Sequence, residues 1–179
     1  MEDKEILEKF AKEESRNLAF NQLVRKYQQK VYWHIRKMVI DHEDADDLTQ
    51  EVFIKVWKHL ENFRQDAQLY TWLYRIATNE CLNFLKSKKR KFFLPINDVE
   101  AELSAKIDRQ ENLSGDEIQL KLQKALLKLP DKQRLVFNMK YYDEMTYEQI
   151  SEILGTSVGA LKASYHLAVK KIEDYVTKH

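Results

Sequence analysis

Residues 146–173, TYEQISEILGTSVGALKASYHLAVKKIE, carry the sharpest local punctuation in the chain. Thr146 and Gln149 stand at the T-x-x-Q spacing of a capping box, in which each side chain satisfies a backbone N–H near the helix start. Tyr147, Ile150, Ile153 and Leu154 then form an apolar face, and Gly155 stands where a helix closes in left-handed geometry. Thr156 and Ser157 suit the cap of a second helix, whose buried stripe is Val158, Leu161, Tyr165, Ala168, Val169 and Ile172. A short stopped helix, a brief turn and a longer helix have the proportions of a helix-turn-helix, whose second helix enters the major groove with its early residues nearest the base edges. An ordinary helical hairpin is the bland alternative. The outward positions are Thr156, Ser157, Gly159, Ala160, Lys162, Ala163, Ser164 and His166. Lys162, Lys170 and Lys171 suit phosphate, and Ser157 and Ser164 suit hydrogen bonds to bases or phosphates. The stretch holds no Arg or Asn, so it yields no base code.

Upstream, Leu122, Leu126, Leu127 and Leu129 predict a helix that stops before Pro130. The proline opens a further helix over 131–141, because a first helical turn has no use for the missing N–H. Residues 92–119 hold Pro95, the pair Ser114-Gly115, scattered acids and broken apolar spacing, and read as an acidic linker. Three helical stripes precede it. The first is Phe20, Leu23, Val24, Tyr27, Val31, Ile35 and Met38. After a break at 41–44 comes Ala45, Leu48, Val52, Val56 and Leu60, with Phe53 and Trp57 on an adjoining stripe. Past the aperiodic ENFRQDAQL of 61–69, the third is Trp72, Leu73, Ile76, Ala77, Cys81, Phe84 and Leu85. With 3 Gly and 2 Pro in 179 residues there is little material for tight turns, so the expected fold is all-α, with two small helical domains joined by a flexible linker.

The glycine shortage also argues against a nucleotide-cradling loop, and neither G-x-G-x-x-G nor G-x-x-x-x-G-K-[ST] occurs. Cys81 stands alone, so it forms no intramolecular disulfide; it reads as a packed residue and fits a reducing compartment. His34, His42, His59, His166 and His179 make no H-E-x-x-H or cysteine-paired zinc pattern, and no metal or cofactor is expected. No apolar run reaches membrane length, and the opening MEDKEILEKF lacks the basic flank and apolar core of a signal. A cytoplasmic protein without membrane insertion is the expectation.

A net charge of +1 conceals strong segregation along the chain. Residues 21–40 carry five bases and no acid, 41–51 carry six acids and no base, and 52–91 carry nine bases against three acids. Such blocks offer one face to a polyanion and another to a basic protein, although solvated surface explains charge runs as well. Asp44, Asp47 and Glu51 share a helix face without a companion metal or acid-base site, which leaves a partner-protein surface or a solvated helix. Gln50, Phe53 and Trp57 favour the partner reading by adding polar contacts and an aromatic anchor. Five charges fill the six positions 86–91, more than a helix C-terminus needs, which points to an anionic partner. Trp72 and Phe84 fit core packing. Phe63 and Tyr70, in or next to the loop, fit stacking on exposed bases.

Three ordered stretches, DADDLTQEVFIKVWKHLENFR, YTWLYRIATNECLNFLKSKKR and LPDKQRLVFNMKYYDEMTYEQISEILGTSVGALKASYHLAVKKI, together resemble the extracytoplasmic-function branch of the sigma-70 family of bacterial transcription initiation factors. The resemblance covers roughly residues 10–176. It implies a sigma domain 2 over 10–91, a linker over 92–115 without the middle domain of larger sigma factors, and a sigma domain 4 over 116–176. It implies a protein that is not an enzyme, binds core RNA polymerase and promoter DNA, helps open the strands, and is often held by an anti-sigma factor.

Residue by residue, the resemblance assigns core-polymerase binding to Asp46, Asp47, Leu48, Gln50, Glu51, Phe53 and Trp57. Recognition of the minus-10 element falls to Phe63, Arg64, Tyr70, Thr71, Arg75, Asn79, Lys86, Lys88 and Arg90. The minus-35 element falls to Thr156, Ser157, Gly159, Lys162, Ser164 and His166. Where the commoner family pattern is G-T-V-K-S-R-L-H-R-A-R, this chain reads GALKASYHLAV from Gly159, with Ser164, Leu167 and Val169 at three usually basic positions. That departure predicts weak DNA binding by domain 4 alone, and its form is similar to that of Bacteroidetes-type factors. The competing classes are a stand-alone helix-turn-helix regulator and a helical adaptor that binds protein only.

Overall fold

Helix α2 (Arg16–Val39) is the long strut of the molecule, 24 residues and about 36 Å at 1.5 Å per residue. The computed structural model describes residues 1–64, 66–91, 101, 103–107 and 117–178. The expected linker lies largely outside those residues, as do His179 and the side chain of Arg90. Among the described residues the regular structure is helical throughout.

Helix α1 (Asp3–Phe10) lies on α2, burying Ile6 and Phe10. Asp3 fastens its start by accepting from Tyr27 Oη and Lys26 Nζ, both at 2.7 Å. At the far end of α2, Ile40 has φ 69°, a left-handed exit that turns the chain at the expected break. Asp41 then caps α3 (His42–His59) by accepting the Asp44 N–H at 3.0 Å, a cap that the local run of acids supplies. That bond holds the Asp41 carboxyl below its usual range against the opposing effect of burial, helped by Lys106. Helix α4 (Leu69–Lys91) completes the first region. Leu23, Val31 and Ile35 of α2, Val52 and Val56 of α3, and Leu73, Ala77 and Cys81 of α4 are all buried in one continuous cluster.

The second region holds α5 (Glu117–Leu127), α6 (Asp131–Phe137), α7 (Tyr147–Leu154) and α8 (Val158–Lys178). The helix expected over 131–141 changes character midway. Asn138–Tyr142 is wound as a π-helical turn, closed by the Asp143 N–H donating to the Asn138 carbonyl at 3.1 Å. The wider turn carries Asp143 to α2, where Lys37 Nζ donates to it at 2.9 Å.

Each region has packed apolar residues, and a shared layer joins them. Ala125, Leu126, Leu129, Phe137, Ala168 and Ile172 form a cluster internal to the second region. Leu135, Val136, Met139, Met145, Ile150 and Ile153 instead continue the core of the first region, where α7 packs on α4. Polar contacts stitch the same seam. Arg134 donates to the Met38 carbonyl at 3.1 Å, and Gln149 Nε2 donates to Gln68 Oε1 at 3.3 Å.

Candidate nucleic-acid interface

The helix-turn-helix forms as its residues dictate. Thr146 Oγ1 accepts the Gln149 N–H at 3.1 Å while Gln149 Oε1 accepts the Thr146 N–H at 3.0 Å, so both halves of the capping box close. Gly155 ends α7 at φ 69°. Ser157 Oγ accepts the Ala160 N–H at 3.3 Å and so caps the start of α8. Leu161, Ala168 and Ile172 are buried beneath α8. Ser157, Gly159, Lys162 and His166 are exposed, whereas Thr156 and Ser164 are half-buried at the edge of that face. A Cβ built on Gly159 would meet nothing within 4 Å, so the first turn of α8 presents open space there.

Two lysines converge on one ring beside this face. Lys140 Nζ lies 4.5 Å and Lys162 Nζ 5.8 Å from the centroid of Tyr147. Lys140 was invisible to motif reading, because the π-turn that carries it leaves no recognised sequence pattern. Leu167, in a position the family usually makes basic, is 49% exposed and places an apolar side chain on the outer face.

On the first region, Arg75, Asn79 and Lys86 are exposed on α4 at spacings of four and seven, which sets them along one side of the helix. Arg64 is exposed in the preceding loop. Phe63 is half-buried against Trp72, with ring centroids 5.1 Å apart. Tyr70 is half-buried 4.6 Å from Tyr74, and Lys30 Nζ lies 5.5 Å from its ring. Burial raises the Tyr70 hydroxyl above its ordinary range, so it stays a neutral donor. Thr71 is buried, and its Oγ1 donates to the Gln68 carbonyl at 2.9 Å, which fixes the entry of α4 and leaves it no outward face. Lys88 is half-buried with Nζ 5.9 Å from the Phe84 ring. Lys30 belongs to the basic block of α2, and the charge count was the signal that could have found it.

The acidic helix divides by depth. Asp46, Asp47, Gln50 and Glu51 are exposed, and Gln50 Nε2 donates to Asp46 Oδ2 at 3.2 Å. Leu48 and Phe53 are buried and support that face from beneath. Trp57 is 39% exposed and is held edge-on by Phe10 and Phe20, with centroids at 5.6 and 5.0 Å. Ile54, 54% exposed beside it, was missed because it falls off the buried stripe. Asp44 is diverted from the outer face to Lys106 at 3.3 Å. Lys55 pairs with Glu80 and ties α3 to α4.

Cys81 is fully buried, and that burial pushes its thiol up to about 12, which keeps it protonated and unreactive. Among the described residues no helix is long and apolar enough to cross a membrane.

Residues 23–91 match the family Sigma-70 region 2, and residues 119–172 match Sigma-70, region 4. The RNA polymerase sigma-H factor of Pseudomonas aeruginosa is 31% identical over 182 residues, covering 96% of this chain and 92% of that protein. The ECF RNA polymerase sigma factor SigW of Bacillus subtilis is 32% identical over 159 residues, covering 83% of each chain. Among solved structures, the sigma factor RpoE in complex with the anti-sigma factor NepR from Bartonella quintana has a TM-score of 0.68 at 18% identity, covering 88% of this chain and 96% of that one. CnrH in complex with the cytosolic domain of CnrY has a TM-score of 0.65 at 23% identity, covering 90% of each. These two likenesses describe the fold.

Proposed function

The chain belongs to the extracytoplasmic-function branch of the sigma-70 family and is a promoter-directing transcription initiation factor; from that premise we propose how its residues divide the work. Residues 10–91 act as domain 2, 92–115 as the linker and 116–176 as domain 4. Asp46, Asp47, Gln50, Glu51 and Trp57 meet core polymerase, with Leu48 and Phe53 holding α3 at the right depth. Phe63, Arg64 and Tyr70 receive unstacked bases of the minus-10 element, while Arg75, Asn79, Lys86, Lys88 and Arg90 hold its backbone and Thr71 positions the loop. Unstacking costs energy that aromatic contact and phosphate neutralisation offset. Thr156, Ser157, Gly159, Lys162, Ser164 and His166 meet the minus-35 duplex.

Polymerase supplies the catalysis, and this chain supplies specificity in the cytoplasm as a Bacteroidetes-type factor. The two structural relatives are in complexes, one with an anti-sigma factor, which supports an anti-sigma partner for this chain.

The observation that carries this reading is the separation of two exposed polar faces, one on α4 and one on α8, on regions that match two sigma-70 families. The seam adds a requirement. A compact chain of this length has a radius of gyration of about 16 Å. Elements named for positions 35 and 10 stand roughly 25 base pairs apart, about 85 Å of duplex at 3.4 Å per base pair. The regions therefore part along α4–α7 before both elements are read.

The test is run-off transcription from a pooled promoter library with matched core polymerase. Starts that share paired upstream elements and need both proteins are expected. Tight selection of duplex DNA by the chain alone, with no new starts, would return the stand-alone regulator instead.

A further inference from the structure

The stretch 92–117 carries seven acids against two bases, and the chain entering α3 holds Asp41, Glu43, Asp44, Asp46 and Asp47. Two acidic segments of one chain repel, so contact between them needs a specific cause. Residues 103–107 supply it. They form a short helical stretch whose Leu103 and Ile107, four positions apart and so on one face, are both buried. That face packs with Leu127 at the end of α5 and Ile40 at the exit of α2. One short segment therefore bridges the two regions with apolar contact.

Lys106 stands at the edge of the same face, and its side chain is 17% exposed. Its Nζ donates to Asp44 Oδ2 at 3.3 Å and lies 3.9 Å from Asp41 Oδ2. Asp41 keeps its Oδ1 on the Asp44 N–H, so the helix cap and the lysine use different oxygens. A pair this sheltered is screened less by salt than one on open surface. Asp44 lies one turn before Asp47 and two before Glu51, on the side of α3 assigned above to core polymerase. Asp47 and Glu51 are exposed, whereas Asp44 is half-buried beneath Lys106.

We propose that residues 103–107 are an autoinhibitory clasp. Leu103 and Ile107 hold α5 against the corner between α2 and α3, while Lys106 occupies on Asp44 the place of a cationic group of polymerase. A basic polymerase surface docking along α3 draws Asp44 away from Lys106. Without that ion pair, an acidic segment is left beside an acidic helix end, and the clasp lets go. Polymerase binding and parting of the two regions then favour each other by the same factor. A chain open about one time in ten binds polymerase about tenfold more weakly than one that is always open. The link to polymerase rests on the function proposed above, whereas the bridging contact does not.

The test uses the full chain and two variants outside the residues assigned to polymerase and DNA. Lys106→Met keeps the packed stem and removes the charge, and the double variant Leu103→Ser, Ile107→Ser opens the apolar half. Each should raise the radius of gyration in X-ray scattering above the compact value of about 16 Å. Each should also tighten binding to core polymerase, titrated without DNA, by about fivefold to tenfold. Lys106→Arg should behave as the parent. Tighter binding is a gain that a misfolded chain cannot mimic.

Unchanged radius and affinity in both variants overturn the clasp. A larger radius with unchanged or weaker affinity overturns it as an inhibitor, because opening then brings polymerase no advantage. If Lys106→Met expands the chain but neither it nor the parent binds polymerase, the sigma mechanism fails and the bridging contact stands. Polymerase binding by the parent that neither variant improves does the reverse.

Discussion

In region 2 the buried stripes of α2, α3 and α4 face one another, and α1 covers the end of the bundle with Ile6 and Phe10. In region 4 the buried residues divide. Phe137, Ala168 and Ile172 pack within the region, whereas Met139, Met145 and Ile150 pack into the core of its neighbour. Three long helices enclose the centre of the first region, while the short helices α6 and α7 of the second place part of their apolar surface on it. The difference teaches that the second region is held partly by the surface of the first, so the parting proposed above has to break core packing as well as polar contacts.

The largest effect should come from the centre of region 2. Ile35 is fully buried, and Ile35→Ala should cost about 2–5 kcal/mol in denaturant unfolding. If region 4 depends on region 2, hydrogen exchange at the Ile150 amide should accelerate along with that at Val31. Full protection of Ile150 in an otherwise weakened chain would break the asymmetry.

Asp143 sharpens the same comparison at the seam. Burial acts to raise its carboxyl, but His34 and Lys37 overcome this and hold it below the ordinary value of 3.8. A depressed carboxyl contributes stability in full above its unfolded value and loses it as pH falls through the folded one. The seam should therefore hold at neutral pH and loosen below about pH 4. Asp143→Asn keeps the shape but removes the charge, at about 1–3 kcal/mol, and should raise the radius measured by X-ray scattering at pH 7. An unchanged radius would leave the seam to apolar packing alone.

The acidic face of α3 tests whether region 2 has a surface independent of region 4. Asp47 and Glu51 are exposed on α3, so reversing both to Lys should leave unfolding unchanged. Affinity for core polymerase should fall by about 1–2 kcal/mol, roughly fivefold to thirtyfold. Unaltered affinity removes α3 from the polymerase interface.

Much of this was legible because it is local. A capping box needs residues three apart, a left-handed stop needs Gly155, and a buried stripe repeats every three or four positions. What lay hidden was which partner covers each stripe. His34 carries no sign in the sequence of being fully buried; its place depends on Thr78, whose Oγ1 is 2.9 Å from Nε2, on the Tyr74 ring and on Asp143. Leu48 stands on a buried stripe while the resemblance assigns it and Phe53 to polymerase contact, and both lie in the core shared by α2, α3 and α4. The π-turn at Asn138–Tyr142 and the burial of Arg134 arise from the same long-range packing. Periodicity predicts that a face is covered without saying by what.

The smallest effect should come from the recognition helix itself, and it separates folding from reading. Gly159 sits in the first turn of α8 without a positive φ, and an added Cβ meets nothing within 4 Å. Gly159→Ala should therefore fold normally and gain up to about 0.5–1 kcal/mol from the restricted unfolded chain. The methyl group it adds projects from the face assigned to the minus-35 element. Transcription from promoters with a strong minus-35 element should drop while those relying on minus-10 contacts change less. If all promoters respond alike, Gly159 acts through helix stability, and the contact with duplex DNA lies further along α8, towards Lys162 and His166.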